Sequence, residues 1–368
     1  MNPPELFYQS ALTSVPGVGG VLIRQLMSYC GSASDVFRAS VSRLVKIPGI
    51  GEVTARAILH PEVLREAEQV QGRCEKLGVE QLFYTNNRYP ARLKALYDAP
   101  PMLYWQGAAD LNTARTIGIV GTRQATDYGR RIAEELILAL QPYGPLIISG
   151  LAYGIDIMAH RASLVGGLPT IGVMASGIDI IYPHVHKKTA QEMQVMGGLL
   201  TENRPGVKPD ARLFPARNRI IAGLSDVVIV VEAAAKGGAL ITAEYANNYH
   251  REVFAVPGHL NQTFSQGCNK LIRENKAQIY TKPGDIIENL NWDQTGGKTA
   301  PVEKTLLALE FTEEESQILA LFRQQADWQI DELSWHSQIP LGKLASLLLN
   351  LEFKGIVRTL PGKKYQLN

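Results

Sequence analysis

Apolar residues fall in short continuous runs through the middle of the chain and at helical spacing towards both ends. The runs are TIGIVG (116–121), PLIISG (145–150), PTIGVMA (169–175), GGLLTE (197–202), VVIVVEA (227–233), EVFAVPG (252–258) and QIYT (278–281). They are β-rich and separated by helical stretches, the pattern of strands covered on both faces of a largely parallel sheet. The spacing predicts a doubly wound, mostly parallel α/β domain from about Arg115 to Leu290. Upstream, LFYT (82–85) and MLYWQG (102–107) flank the Pro-rich YPARLKALYDAPP and read as strands joining the edge of that domain.

The two ends are helical in different ways. VPGVGG (15–20) is echoed by IPGIGE (47–52), each followed by a helical pattern, so the N-terminal region contains an internal repeat. Glycines at the first and third places let the backbone take positive φ and turn amides outward. Such turns occur in helix-hairpin-helix units that hold DNA phosphates, and equally as tight turns in a small helical bundle. Neither turn carries an adjacent cation, and Arg24 and Arg56 lie about one helical turn onward. A helix is expected from Pro61 to Gly78. After the sheet, NWDQTGGKTAPVEK (291–304) is polar and aperiodic and reads as a linker. TEEESQILALFRQ, with a Thr N-cap and an acidic first turn, then WQIDELSWHS and PLGKLASLLLNLEFKG predict three helices. IVRTLPGKKYQLN alternates about a Pro-Gly turn, so 305–368 is expected to be a winged helix.

Composition supports this division. A chain of 368 residues, 45% hydrophobic and 20% charged, fits three globular domains, expected at 1–78, 79–290 and 305–368. Cys30, Cys74 and Cys268 are scattered with no CxxC pair, which indicates neither a disulfide framework nor a zinc site and fits a reducing cytoplasm. No basic start precedes an apolar run, and no stretch reaches the ~18 apolar residues of a membrane span. A cytoplasmic protein is expected. The net charge of +2 decides nothing about nucleic acid, but its distribution does more. Arg204, Lys208, Arg212, Arg217 and Arg219 stand against one acid, Asp210.

In an open parallel sheet, ligands sit beyond the carboxyl ends of the strands. The loops there are Gly-rich and basic. GIVGTRQATDYG offers Gly121, Thr122 and Arg123, and SGLAYGIDIMAH offers Ser149 and Gly150. SGIDIIYPHVHKK brings His184, His186, Lys187 and Lys188, and FPARNR brings Arg217, Asn218 and Arg219. EAAAKGGALITAEYA supplies Lys236, Gly237, Gly238 and a helix start. Together they suggest an anion groove suited to a nucleic-acid backbone, with Arg123 able to fork onto a phosphate. Arg123 could instead sit in a structural ion pair, and Asn218 could cap a helix. His160, four residues after Asp156, reads as a structural His-Asp pair rather than a base. His184 and His186 alternate and lack a third ligand, so no metal is expected. GxGxxG, the full Walker pattern GxxxxGK[ST] and GxSxG are all absent.

In this order, GIVGTRQATDYG, SGLAYGIDIMAHRASL, TIGVMASGIDIIYP, FPARNRIIAGLSDVVIVVEA, GGALITAEYA, EVFAVPG and GCNKLI resemble the bacterial DNA processing protein A family, also called Smf, over about Leu82 to Leu290. The resemblance implies a Rossmann-like sheet between an N-terminal SAM-like or helix-hairpin-helix domain and a C-terminal winged helix. It implies a non-catalytic mediator of natural transformation that binds and shields single-stranded DNA, forms a homodimer through the Rossmann-like domain and helps load the RecA recombinase, with no cofactor. DNA contacts are implied for Arg123 and around His184, Lys187 and Lys188. The chain departs from the family at Met174-Ala-Ser-Gly177, His186, Gly237-Gly238-Ala239 and Lys276-Ala277. Two other readings compete. One is a nucleotide-processing enzyme resembling the lysine-decarboxylase-like phosphoribohydrolases, with Glu244 as acid or base. The other is a transcriptional regulator whose winged helix reads DNA through Lys343 and Lys354.

Overall fold

The computed structural model describes residues 4–292, 312–322, 327–353, 356–360 and 364–367. They fall into two compact units, Met1–Trp292 and Asp293–Asn368.

The first unit begins with helices α1 (Glu5–Ser14), α2 (Gly20–Cys30), α3 (Ala33–Arg38), α4 (Val41–Leu44), α5 (Glu52–Ile58) and α6 (Pro61–Leu77). The two Gly hairpins repeat in three dimensions. Gly17 and Gly49 take φ of 75° and 79°, while the third glycines, Gly19 and Gly51, are extended N-caps of α2 and α5. Positive φ is thus needed only at the first glycine of each turn. The α6 helix has proline at its first position and ends on left-handed Gly78, as its sequence predicts.

A nine-stranded sheet follows, built from β1 (Glu80–Phe83), β2 (Met102–Gly107), β3 (Thr116–Val120), β4 (Leu146–Gly150), β5 (Thr170–Val173), β6 (Gly198–Thr201), β7 (Val227–Val230), β8 (Glu252–Ala255) and β9 (Gln278–Ile279). Their order is β1-β2-β6-β5-β4-β3-β7-β8-β9. Neighbours from β6 to β9 are parallel, and β1 and β2 extend one edge antiparallel. The strap between β1 and β2 holds a single helical turn, α7 (Ala91–Lys94).

Helices α8 (Asp127–Leu140) and α9 (Ile155–Val165) cover one face, against Ile117, Ile119, Val227 and Ile229. Downstream of α10 (Lys187–Met193), α11 (Leu213–Leu224) and α12 (Gly238–Asn248) cover the other face, against Val120, Val228 and Val230. Successive residues of β7 therefore feed opposite layers, which is why that run is apolar at every position. The short helices α13 (Gln266–Arg273) and α14 (Gly284–Asn289) complete the unit. The N-terminal helices share one core with the sheet edge, since Leu12, Leu26 and Val70 cluster with Phe83, Met102, Tyr104 and Leu199.

The second unit holds α15 (Glu313–Phe322), β10 (Asp327–Gln329), α16 (Ile330–Ser337), α17 (Leu341–Phe353), β11 (Val357–Leu360) and β12 (Lys364–Leu367). It is the winged helix expected from the sequence, closed around Ile318, Phe322, Leu333, Leu344 and Leu348. A capping box starts α15, with the Glu315 N–H donating to Thr312 Oγ1 and the Thr312 N–H returning to Glu315 Oε2. The sequence assigns Trp328 and Gln329 to the second helix, but they form β10, which pairs with β12 in a three-stranded sheet. The expected linker from Asp293 onward, the Gly355 stop and the Pro361-Gly362 turn lie outside the described residues. Among the described residues, no helix is long and apolar enough to cross a membrane.

Candidate nucleic-acid interface

The chain moves outward from β3 through β4, β5 and β6, then returns to lay β7 on the other side of β3. The crevice at the carboxyl ends of β3 and β7 is therefore the topological switch point, where this architecture binds ligands. A cleft of about 690 Å³ opens there, lined by Gly121, Thr122, Arg123, Arg217, Asn218, Lys236, Gly237 and Gly238 together with Asp156, Tyr182 and Phe214. Loops far apart in sequence meet because β3 and β7 are neighbours and the loop after β4 packs on the loop after β3. The Ile155 N–H donates to the Thr122 carbonyl at 3.2 Å, and Gly154 takes φ of 77° where a Cβ would overlap Thr122 and Arg123 backbone.

The cations divide sharply. Arg123 is exposed, has no ion pair among the described residues, and sits 5.2 Å over the Phe214 ring. Lys236 is exposed beside the start of α12, an eleven-residue helix with no acid in its first turn and no side chain capping it. Its first amides therefore remain available to an anion. Arg217 lies below the surface at 5% exposure, donating to the Val173 carbonyl and, through Nε, to Asn218 Oδ1 at 3.2 Å. Burial pushes the Asp156 carboxyl above the ordinary range, and the Arg217 charge opposes that rise. Arg217 thus holds the floor together, while Arg123 and Lys236 are the exposed cations of the cleft lining. Asn218 is mid-helix rather than a cap, and its amide donates to the Gly238 carbonyl at 3.0 Å, fixing the head of α12.

Other expected members lie elsewhere. Ser149 is fully buried and donates to the Ile119 carbonyl at 2.5 Å, so its hydroxyl does not face a ligand. Gly150 is beneath the Asp156 and Arg217 side chains. His184, Lys187 and Lys188 are exposed at and before the start of α10 but do not line the cleft, whereas Tyr182 just upstream does. Arg219 points out of the opposite side of α11, bound to Glu202 and the Asp98 carbonyl. The basic stretch is largely neutralised: Arg204 pairs with Glu66 and Arg219 with Glu202, both from outside the stretch, and Arg212 with its own neighbour Asp210. His160 does not meet Asp156. Its ring nitrogens contact Thr170 Oγ1 at 2.7 Å and the Gly150 carbonyl at 2.6 Å. His186 is buried, with Nδ1 2.9 Å from the Leu151 carbonyl. Glu244, needed by the enzymatic reading, is exposed on α12 and does not line the cleft. Lys343, needed by the regulator reading, is held by Glu314, and Lys354 lies outside the described residues.

The sequence family described as DNA recombination-mediator protein A matches residues 80–291, and protein Smf from Synechocystis is 31% identical over the full length of both chains. The chain belongs to the DNA processing protein A family. The same comparison places a SAM-like helix-hairpin-helix tandem at residues 10–60 and the winged helix domain of DNA processing protein A at 297–363. The X-ray structure of DNA processing protein A from Streptococcus pneumoniae superimposes with a TM-score of 0.67 at 31% identity, over 78% of this chain and 98% of that one. DNA processing protein A from Helicobacter pylori, whose solved structure describes a single-stranded DNA binding mode, gives 0.53 at 33% identity, over 58% of this chain and 96% of that one. Against this family frame, sequence reasoning missed Tyr182 and Phe214, whose rings lie 5.9 Å apart at the cleft mouth. Their signal was present in aromatic residues inside the basic YPHVHKK and LFPARNR segments.

Proposed function

We propose that the switch-point cleft binds single-stranded DNA and that this member of the family acts as a recombination mediator in natural transformation. The observation that carries this reading is Arg123, without an ion pair among the described residues and set over the Phe214 ring, in the same cleft as Lys236 and the open head of α12. Cations that follow a backbone, beside aromatic faces on which bases stack, are what sequence-tolerant single-strand binding requires. The single-stranded DNA binding described for the Helicobacter pylori relative supports the same ligand. His184, Lys187 and Lys188 extend the path beyond the cleft, and Arg217, Asn218, Ser149 and Gly150 hold its floor. The mediator role is supported by the family's description as a DNA recombination mediator; RecA loading, from a homodimer joined through the Rossmann-like domain in the cytoplasm, is the further part of this proposal.

Anisotropy titrations with a fluorescent oligo(dT) test the ligand. Wild-type affinity should fall with salt at a slope of ~0.7 per phosphate neutralised. Arg123→Ala should weaken binding by about tenfold or more, since a charge-assisted hydrogen bond contributes roughly 1.5–3 kcal/mol. Salt-insensitive binding, or an Arg123→Ala protein that binds like wild type, would sink the reading.

A further inference from the structure

In this architecture the first crossover helix after the switch-point strand presents its N-terminal amides to a ligand's phosphate. Here that helix is α8, fourteen residues long, and the chain occupies its head with one of its own side chains. Glu232, just beyond β7, is 3% exposed. Its carboxylate accepts the Thr126 backbone N–H at 2.9 Å and the Thr126 hydroxyl at 2.6 Å. Thr126 is the N-cap of α8, and its oxygen also accepts the Gly129 N–H at 3.3 Å. A Cβ at Gly129 would lie 2.6 Å from Glu232 Cδ, so the carboxylate rests directly on the first helical turn. The Glu232 main chain ties the same place together, because its carbonyl accepts the Thr122 N–H at 2.7 Å across the ends of β3 and β7.

The head of α12, on the other side of the switch point, is built differently. Gly237 and Gly238 are exposed, no acid stands in the first turn, and no side chain caps the amides. One helix head is filled by a carboxylate and the other is open to the cleft.

We propose that Glu232 is an internal anion seated where this fold would otherwise take a nucleotide phosphate, and that it sets ligand specificity. It closes the head of α8 to free nucleotides and leaves the head of α12 as the amide cluster open to a backbone phosphate. This rests on reading the cleft as a nucleic-acid backbone site. A carboxylate on the first turn offsets the positive end of the helix dipole, so the seat loses both its space and its attraction for a second anion.

The test uses the full chain as wild type, Glu232→Ala and Glu232→Gln, with inorganic phosphate and AMP as probes and sodium chloride of equal ionic strength as control. Glu232→Ala empties the seat. Its thermal midpoint should rise in phosphate by roughly 3 °C or more beyond the rise of wild type, and it should bind AMP about tenfold more tightly than wild type does. Should Glu232→Ala be unfolded in chloride, phosphate must restore its fold. Glu232→Gln keeps the seat filled while removing the charge, so it should gain neither effect. The proposal is overturned if phosphate neither stabilises nor refolds Glu232→Ala, if wild type binds AMP as tightly as Glu232→Ala, or if Glu232→Gln gains as much as Glu232→Ala. Oligo(dT) binding by wild type, read in the same buffers, is the separate arm. Its failure alongside successful phosphate rescue removes the single-strand reading and leaves the seat assignment standing.

Discussion

Two clefts of equal volume, about 690 Å³ each, open on opposite sides of helix α11, and they differ in what their cations are doing. The first lies between the Val15–Val21 hairpin and the strap Tyr97–Met102, and its arginines are engaged: Arg204 with Glu66, and Arg219 with Glu202 and Asp98. Nearby, Arg24, the cation one turn beyond the first hairpin, donates to the carbonyls of Leu96, Tyr97 and Ala99 at 3.2 to 3.4 Å. The second cleft holds Arg123 and Lys236, which have no such partners among the described residues. Volume and cation count do not separate a ligand site from an internal joint, whereas donor saturation does.

The strongest attempt to break this contrast is Arg217→Met. It leaves Asp156 buried without its countercharge and should cost about 3–5 kcal/mol in urea unfolding, so any loss of DNA binding would follow from a loosened floor. A value below about 1 kcal/mol would show that Arg217 is not needed by the fold and return it to the binding surface.

His160, fully buried beneath that floor, gives a pH-dependent version. Burial pushes its pKa down to about 4 from 6.5, so the unfolded chain takes up the proton first. The stability it contributes is complete above pH 6.5 and is lost as pH falls towards 4, by up to about 3 kcal/mol. Urea titrations at several pH values should show this slope in wild type and a flatter one in His160→Gln.

Arg219→Ala addresses the first cleft. It strands a half-buried Glu202 and should lower stability by about 1–2 kcal/mol while leaving oligo(dT) affinity unchanged. A parallel loss of affinity would merge the two clefts into one path. Lys236→Ala, in the second cleft, has the smallest expected effect. Affinity should drop only a few-fold, with a salt slope reduced by ~0.7 and an unchanged unfolding midpoint.

The sheet was legible because strands covered on both faces read as nearly continuous apolar runs, and each of the seven runs contains a strand. The β10 strand was not. Trp328 and Gln329 gain their conformation from pairing with Tyr365 and Lys364, a contact no local window contains. At the site, Gly121, Arg123, Lys236 and Gly238 could be placed from strand-end position alone. Arg219 could not, since the acid that holds it, Glu202, belongs to another strand's end. Nor could Ser149, whose hydroxyl turns back to β3 rather than outward. Loop chemistry was readable, but the partner of each side chain was not.

The mixed core beneath the first cleft has a thermodynamic consequence. Leu12, Leu26 and Val70 from the helices and Met102, Tyr104 and Leu199 from the sheet form one cluster, so neither set keeps its apolar contacts when the other melts. The region through Trp292 should unfold in a single cooperative transition. The helices then act as ballast for the switch-point cleft, and a cavity cut at Leu26 should lower the cleft's melting temperature without touching any of its residues.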